Sequence, residues 1–171
     1  MSAWNPALIS INQARIWPPE MAALTIKQSK RPLFIMGSLL NIIPEKITEK
    51  SIKVAKKSNA TVVATGGSNL ALDKFEFKPD YTTGAVEIIN NLKNPDWKGF
   101  DGKGNYDLVL FIGVPYYLGS QGLSTLKNFA PHIKTLTLCR FMHPNADMSY
   151  PNIPYEEWLD WLSKLIDHLD Q

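Results

Sequence analysis

Three times along this chain a short apolar run stops at a glycine turn and is followed by a stretch of helical periodicity. Leu33-Phe34-Ile35-Met36 ends at Gly37-Ser38, Thr61-Val62-Val63-Ala64 runs into Thr65-Gly66-Gly67-Ser68, and Tyr106 to Ile112 ends at Gly113-Val114-Pro115. A run of that length bounded by turn residues suits a strand buried on both faces. Covering both faces takes helices, and the crossovers between parallel strands supply them. The repeat therefore points to an α/β class: a doubly wound, mostly parallel sheet with helices on both faces, Rossmann-like in layout.

The remaining segments agree with that layout. Pro18-Pro19-Glu20 opens a helix that ends before Lys30-Arg31-Pro32. A second begins at Pro44-Glu45 and places Ile47, Ser51, Val54, Ala55 and Ser58 on one side, with Lys46, Lys50, Lys53 and Lys57 on a solvated face opposite. Ala85, Ile88, Ile89 and Leu92 mark a third, Leu123, Leu126, Phe129 and Ala130 a fourth, and Trp158, Leu162, Leu165 and Leu169 a last one after Pro154. Ile133 to Leu138 supplies a further strand, Leu70 to Asp80 is mixed, and Asn94 to Asn105 is a turn-rich loop. With no internal repeat and no long linker, residues 18–171 read as a single nucleotide-binding-like domain and residues 1–17 as an N-terminal extension.

Charge and cysteine narrow the possible partners. The 18 Lys and Arg against 16 Asp and Glu leave a net charge of +2, far from the basic excess of a nucleic-acid binder. No apolar run approaches the ~18 residues of a membrane span. Cys139 has no second cysteine to pair with, and MSAWNPALIS lacks the basic-then-apolar pattern of a leader, so a reducing, cytoplasmic location is expected.

In open parallel sheets, ligands bind beyond the carboxyl ends of the strands. The candidates for cofactor binding are therefore Gly37, Ser38, Gly66, Gly67, Ser68, Gly113 and Pro115, whose small side chains let backbone N–H groups approach a phosphate. The same glycines also serve as plain strand-to-helix turns, and neither GxGxxG after a strand nor GxxxxGK[ST] is present. No catalytic or metal set emerges. Gly102-Lys103-Gly104 reads as a turn, Cys139 and His143 have no further ligand nearby, and His132 and His168 stand alone. Gly119-Ser120-Gln121-Gly122 misses the nucleophile elbow, which leaves Ser120 as a helix N-cap. Trp4, Trp17 and Trp161 lie near the termini or a helix flank, placed either to anchor a partner or to pack within the chain.

Taken in order, KRPLFIMGS, VVATGGS, NPDWKGFDGKGNYDLVLFIG, LKNFAPHIKTL and NADMSYPNI resemble the epsilon subunits of the archaeal acetyl-CoA decarbonylase/synthase complex, in its carbon monoxide dehydrogenase component. The most specific part is Trp97, Gly99, Asp101, Gly102, Gly104, Asn105, Tyr106 and Asp107. The resemblance implies a fold similar to the central FAD/NAD-binding-like domain of thiamine-diphosphate enzymes. It also implies a heterotetramer of two alpha with two epsilon subunits, the alpha subunit carrying the nickel–iron–sulfur chemistry. The small subunit would then have no activity alone and would either stabilise the alpha subunit or assist electron transfer to FAD. The alternative is a stand-alone nucleotide- or flavin-binding module. An iron–sulfur cluster usually takes about four thiolates, so with one cysteine any such centre must come from the partner.

Overall fold

The computed structural model describes residues 13–171. In chain order it runs β1 (Arg15–Ile16), α1 (Pro19–Gln28), β2 (Pro32–Met36), a 3-10 turn (Ser38–Asn41), α2 (Glu45–Lys57), β3 (Thr61–Thr65), α3 (Asn69–Asp73), β4 (Tyr81–Thr83), α4 (Ala85–Lys93), β5 (Leu108–Ile112), α5 (Tyr116–Phe129), β6 (Lys134–Thr137), β7 (Met148–Ser149) and α6 (Tyr155–Asp170). The strands form one seven-stranded parallel sheet in the order β1-β7-β6-β5-β2-β3-β4.

Successive side chains of the central strands point to opposite faces and so divide the core in two. Phe34, Met36, Val62, Ala64, Leu110 and Ile112 meet α1, α2 and α6 on one face, through Ala22, Ile26, Ile47, Val54, Trp158 and Leu162. Leu33, Ile35, Val63, Val109 and Phe111 meet α4 and α5 on the other, through Ile88, Leu92, Leu123 and Leu126. This two-sided burial is why the central strands read as continuous apolar runs. Along α2 the lysines at 46, 53 and 57 are exposed, as its periodicity implies.

Three strands have no sequence signal of their own. β1, β7 and β4 are two or three residues long, and their neighbours define them: Arg15 N–H donates to Asp147 O (3.0 Å) and Trp17 N–H to Ser149 O (3.0 Å). Arg15 and Ile16 come from the stretch read as an extension, and they form the sheet edge beside β7. Ser120 is not an N-cap. It lies inside α5, whose first turn is set by Pro115, and Asn145 Nδ2 donates to its Oγ (3.1 Å). Trp17 donates to Thr25 Oγ1 (2.9 Å), and Trp161 meets Tyr150 edge-on at 4.9 Å, so both pack within the chain. Trp4 lies outside the described residues.

Candidate functional site

The strand order reverses between β2 and β5, and at their carboxyl ends stand Gly37 and Gly113. A nucleotide fold binds its ligand at such a switch point. Here the two turns close on each other. Gly37 N–H donates to Ile112 O (2.8 Å) and Leu39 N–H to Gly113 O (2.8 Å), so these donors are already engaged. A Cβ on Gly37 would lie 2.2 Å from Gly113 O, and Gly113 itself has φ +68° with Leu40 Cγ only 2.7 Å from its Cβ position. Glycine is needed at both places because backbone touches backbone there and Leu40 lies across the contact.

The seven candidate residues thus divide into two groups. Gly37 and Gly113 are buried against each other, Ser68 is buried with its hydroxyl turned back to Thr65 O (2.5 Å), and Pro115 has no N–H to offer. Gly66 and Gly67 are exposed, Ser38 is half-buried beside Gly67, and Asn41 Nδ2 donates to Gly67 O. A Cβ on Gly66 would meet nothing within 4 Å. Of the seven, only Ser38, Gly66 and Gly67 therefore form an open surface.

Two further groups lie at this end of the sheet. Cys139 follows β6, and burial pushes its thiol up to about 11, with hydrogen bonds from the Gly113 and Val114 N–H groups acting the other way. A thiol protonated at neutral pH is a poor nucleophile. The His143 ring stacks on Tyr116 at 4.5 Å, in a space that only glycine at 119 leaves open. It is buried with no hydrogen-bond partner for Nδ1, and desolvation lowers its pKa to about 4. At neutral pH it is an uncharged packing group. Among the described residues, no group of three or more His, Cys, Asp or Glu is placed to hold a metal.

The polar network lies at the opposite, amino end. Asp107 accepts from Ser29 Oγ and from the N–H groups of Lys30 (2.8 Å) and Arg31 (3.0 Å). Arg31 in turn pairs with Asp101 (2.6 Å), donates to Gly104 O (3.1 Å) and Asn105 O (3.3 Å), and lies over the Tyr106 ring at 5.2 Å. Trp97, Phe100, Tyr106 and Tyr81 complete an aromatic cluster beneath the loop. The stretch from Asn94 to Asp107 is therefore a clasp on the sheet. Reading the sequence alone missed this role. The signal is the register Pro32↔Leu108, which sets Arg31 beside Asp107 and is knowable only once β2 and β5 are paired.

Comparison with known proteins finds relatives along most of the chain. Residues 4–166 match the model of the family described as CO dehydrogenase beta subunit/acetyl-CoA synthase epsilon subunit. Similar relatives are the acetyl-CoA decarbonylase/synthase complex subunit epsilon of Methanothermobacter thermautotrophicus, 44% identical over 95% of this chain and 92% of that protein, and subunit epsilon 1 of Methanosarcina barkeri, 36% identical over 93% and 91%. Subunit epsilon 1 of Archaeoglobus fulgidus is 37% identical over 88% of this chain and 82% of its own length.

Proposed function

The chain belongs to the CO dehydrogenase beta subunit/acetyl-CoA synthase epsilon subunit family, and from that premise we propose that it is the accessory epsilon subunit of a cytoplasmic acetyl-CoA decarbonylase/synthase complex. Its role is to stabilise the nickel–iron–sulfur alpha subunit in an assembly of two alpha with two epsilon. The observation that carries this reading is the closed switch point, where Gly37 and Gly113 spend the ligand crevice of the fold on backbone packing. The neighbouring Cys139 and His143 are protonated and neutral respectively at working pH. Co-expression with the alpha subunit tests it. A co-eluting complex that outlasts the isolated alpha subunit on heating is the expected outcome, and separate elution at micromolar concentration overturns the reading.

A second role, assistance in passing electrons to FAD, is favoured by the open surface at Ser38, Gly66 and Gly67. Flavin fluorescence on titration into the assembled complex should then quench saturably, and Gly66→Glu should abolish the quenching by placing a carboxylate against the phosphates. An unresponsive titration removes this role and leaves the structural one intact.

A further inference from the structure

We propose that the carboxyl end of the sheet is the face by which this chain docks on the alpha subunit, an assignment that rests on the accessory-subunit reading and supplies its contact surface. Ile42, Leu70 and Tyr117 are 78%, 72% and 69% exposed, and Val86, Tyr116, Phe141 and Tyr155 are exposed with them. Each lies in the segment that leaves the carboxyl end of a strand: β2, β3, β5, β4, β5, β6 and β7 in turn. At a strand spacing of about 4.8 Å, the six strands from β7 to β4 carry this rim across roughly 24 Å. Single exposed apolar residues need no explanation, whereas a row of them along one end of a sheet does.

Four of these segments begin free of charge, while those after β6 and β7 carry Arg140, Glu156 and Glu157. GSLLNIIP (37–44), GGSNLAL (66–72), YTTGAV (81–86) and GVPYYLGSQGLSTL (113–126) contain no Lys, Arg, Asp or Glu. Loss of charge with enrichment in aromatics and arginine distinguishes the buried centre of a protein interface from ordinary surface. Arg140 completes that composition: its guanidinium lies 4.5 Å from the Phe141 ring centre and 4.2 Å from that of Tyr155, and its Nε donates to Ile153 O (3.2 Å). Tyr116 is tied down by its hydroxyl, which donates to Met142 O (3.2 Å). Anchors held in place before contact lose little freedom on binding.

This chemistry selects the occupant. A nucleic acid brings a row of phosphates that calls for many cations, and along this rim Arg140 is already committed to two rings and a carbonyl. A low-charge protein surface matches instead, and the relatives bear the names of subunits of a complex. The alpha subunit is the partner that the proposed function requires.

The test is the affinity of the full-length chain for the alpha subunit, measured by calorimetry for the parent chain, Leu70→Lys, Tyr117→Lys and, at the opposite end of the sheet, Lys134→Glu. Each rim substitution should weaken binding at least ~10-fold, the scale of a lost interface anchor, while Lys134→Glu leaves it unchanged. Failure of the parent chain to bind overturns the accessory-subunit reading itself. Undiminished binding by both rim variants overturns only the choice of face. Sedimentation of the isolated chain supplies the third arm: a dimer that Tyr117→Lys dissolves, with alpha binding unaffected, assigns the rim to a second copy and overturns the proposal.

Discussion

The two ends of this sheet are built on opposite terms. At the amino end a polar cleft of about 960 Å³ includes Arg15, Ser29, Asp107, Lys134 and Asp147 in its lining, and its carboxylates are consumed by the chain itself. Asp147 accepts from Thr135 N–H (2.8 Å) and Oγ1 (2.9 Å) as Asp107 does from residues 29 to 31. At the carboxyl end, the stretches 37–44, 66–72, 81–86 and 113–126 carry no charge, backbone packs on backbone at Gly37 and Gly113, and large apolar side chains face outward. The amino end thus uses polarity to specify the fold, since buried polar groups tolerate few arrangements. The carboxyl end, where this class of fold keeps its chemistry, has been closed within and left apolar without.

The sharpest way to break that contrast is to pry the closed end apart. Gly37→Ala places a Cβ 2.2 Å from Gly113 O with backbone on both sides, so no rotamer relieves it. A loss of about 3–5 kcal/mol in denaturant unfolding is expected, in the range reserved for strain of this kind. Gly66→Ala, where a Cβ meets nothing, should stay within about 0.5 kcal/mol. Equal losses from the two would mean that the switch point is not closed.

Acid separates the ends by pH window. His143 has a folded pKa near 4, below its unfolded value of about 6.5, so the unfolded chain binds the extra proton between those values. Its contribution is fully present above pH ~6.5 and is lost as pH falls toward 4, about 3 kcal/mol in all. His143→Gln should flatten that slope in pH-dependent thermal melts. Asp107 responds lower. Burial raises its carboxyl, but hydrogen bonds from Ser29, Lys30 and Arg31 outweigh this and leave the pKa below the usual carboxylate value. Its contribution is present above the unfolded pKa of ~3.9 and lost as pH falls through the folded one. Asp107→Asn should cost about 1–2 kcal/mol at pH 7 by weakening those hydrogen bonds, and should leave the pH 4–6.5 slope intact.

How legible each end was in the sequence follows from the same contrast. β2, β3 and β5 announce themselves because burial on both faces makes them continuous apolar runs, while β4, with every residue at least partly open, carries no such signal. The glycines at 37 and 113 were readable as turn residues, but their mutual contact joins strands far apart in the chain and appears only when β2 pairs with β5. The segment 94–105 stood out by composition, yet its function as a clasp depends on Arg31, which local sequence does not connect to it. The empty charge record of 113–126 was visible all along; helical periodicity explained its buried residues and left Tyr116 and Tyr117 without a role.

The smallest expected effect bears most directly on what the carboxyl end is for. If Leu70 and Tyr117 face outward for a partner, they contribute little to the isolated chain, and Leu70→Lys and Tyr117→Lys should each change its stability by no more than about 0.5 kcal/mol. For a domain of this size that corresponds to a shift in Tm of about 1–2 °C. A buried leucine replaced by a small residue costs about 2–5 kcal/mol, so a loss on that scale would place these side chains in the core and erase the difference between the two ends. Near-neutral melting combined with weakened binding to the alpha subunit is the pairing that only an interface residue produces, because packing residues lose both together.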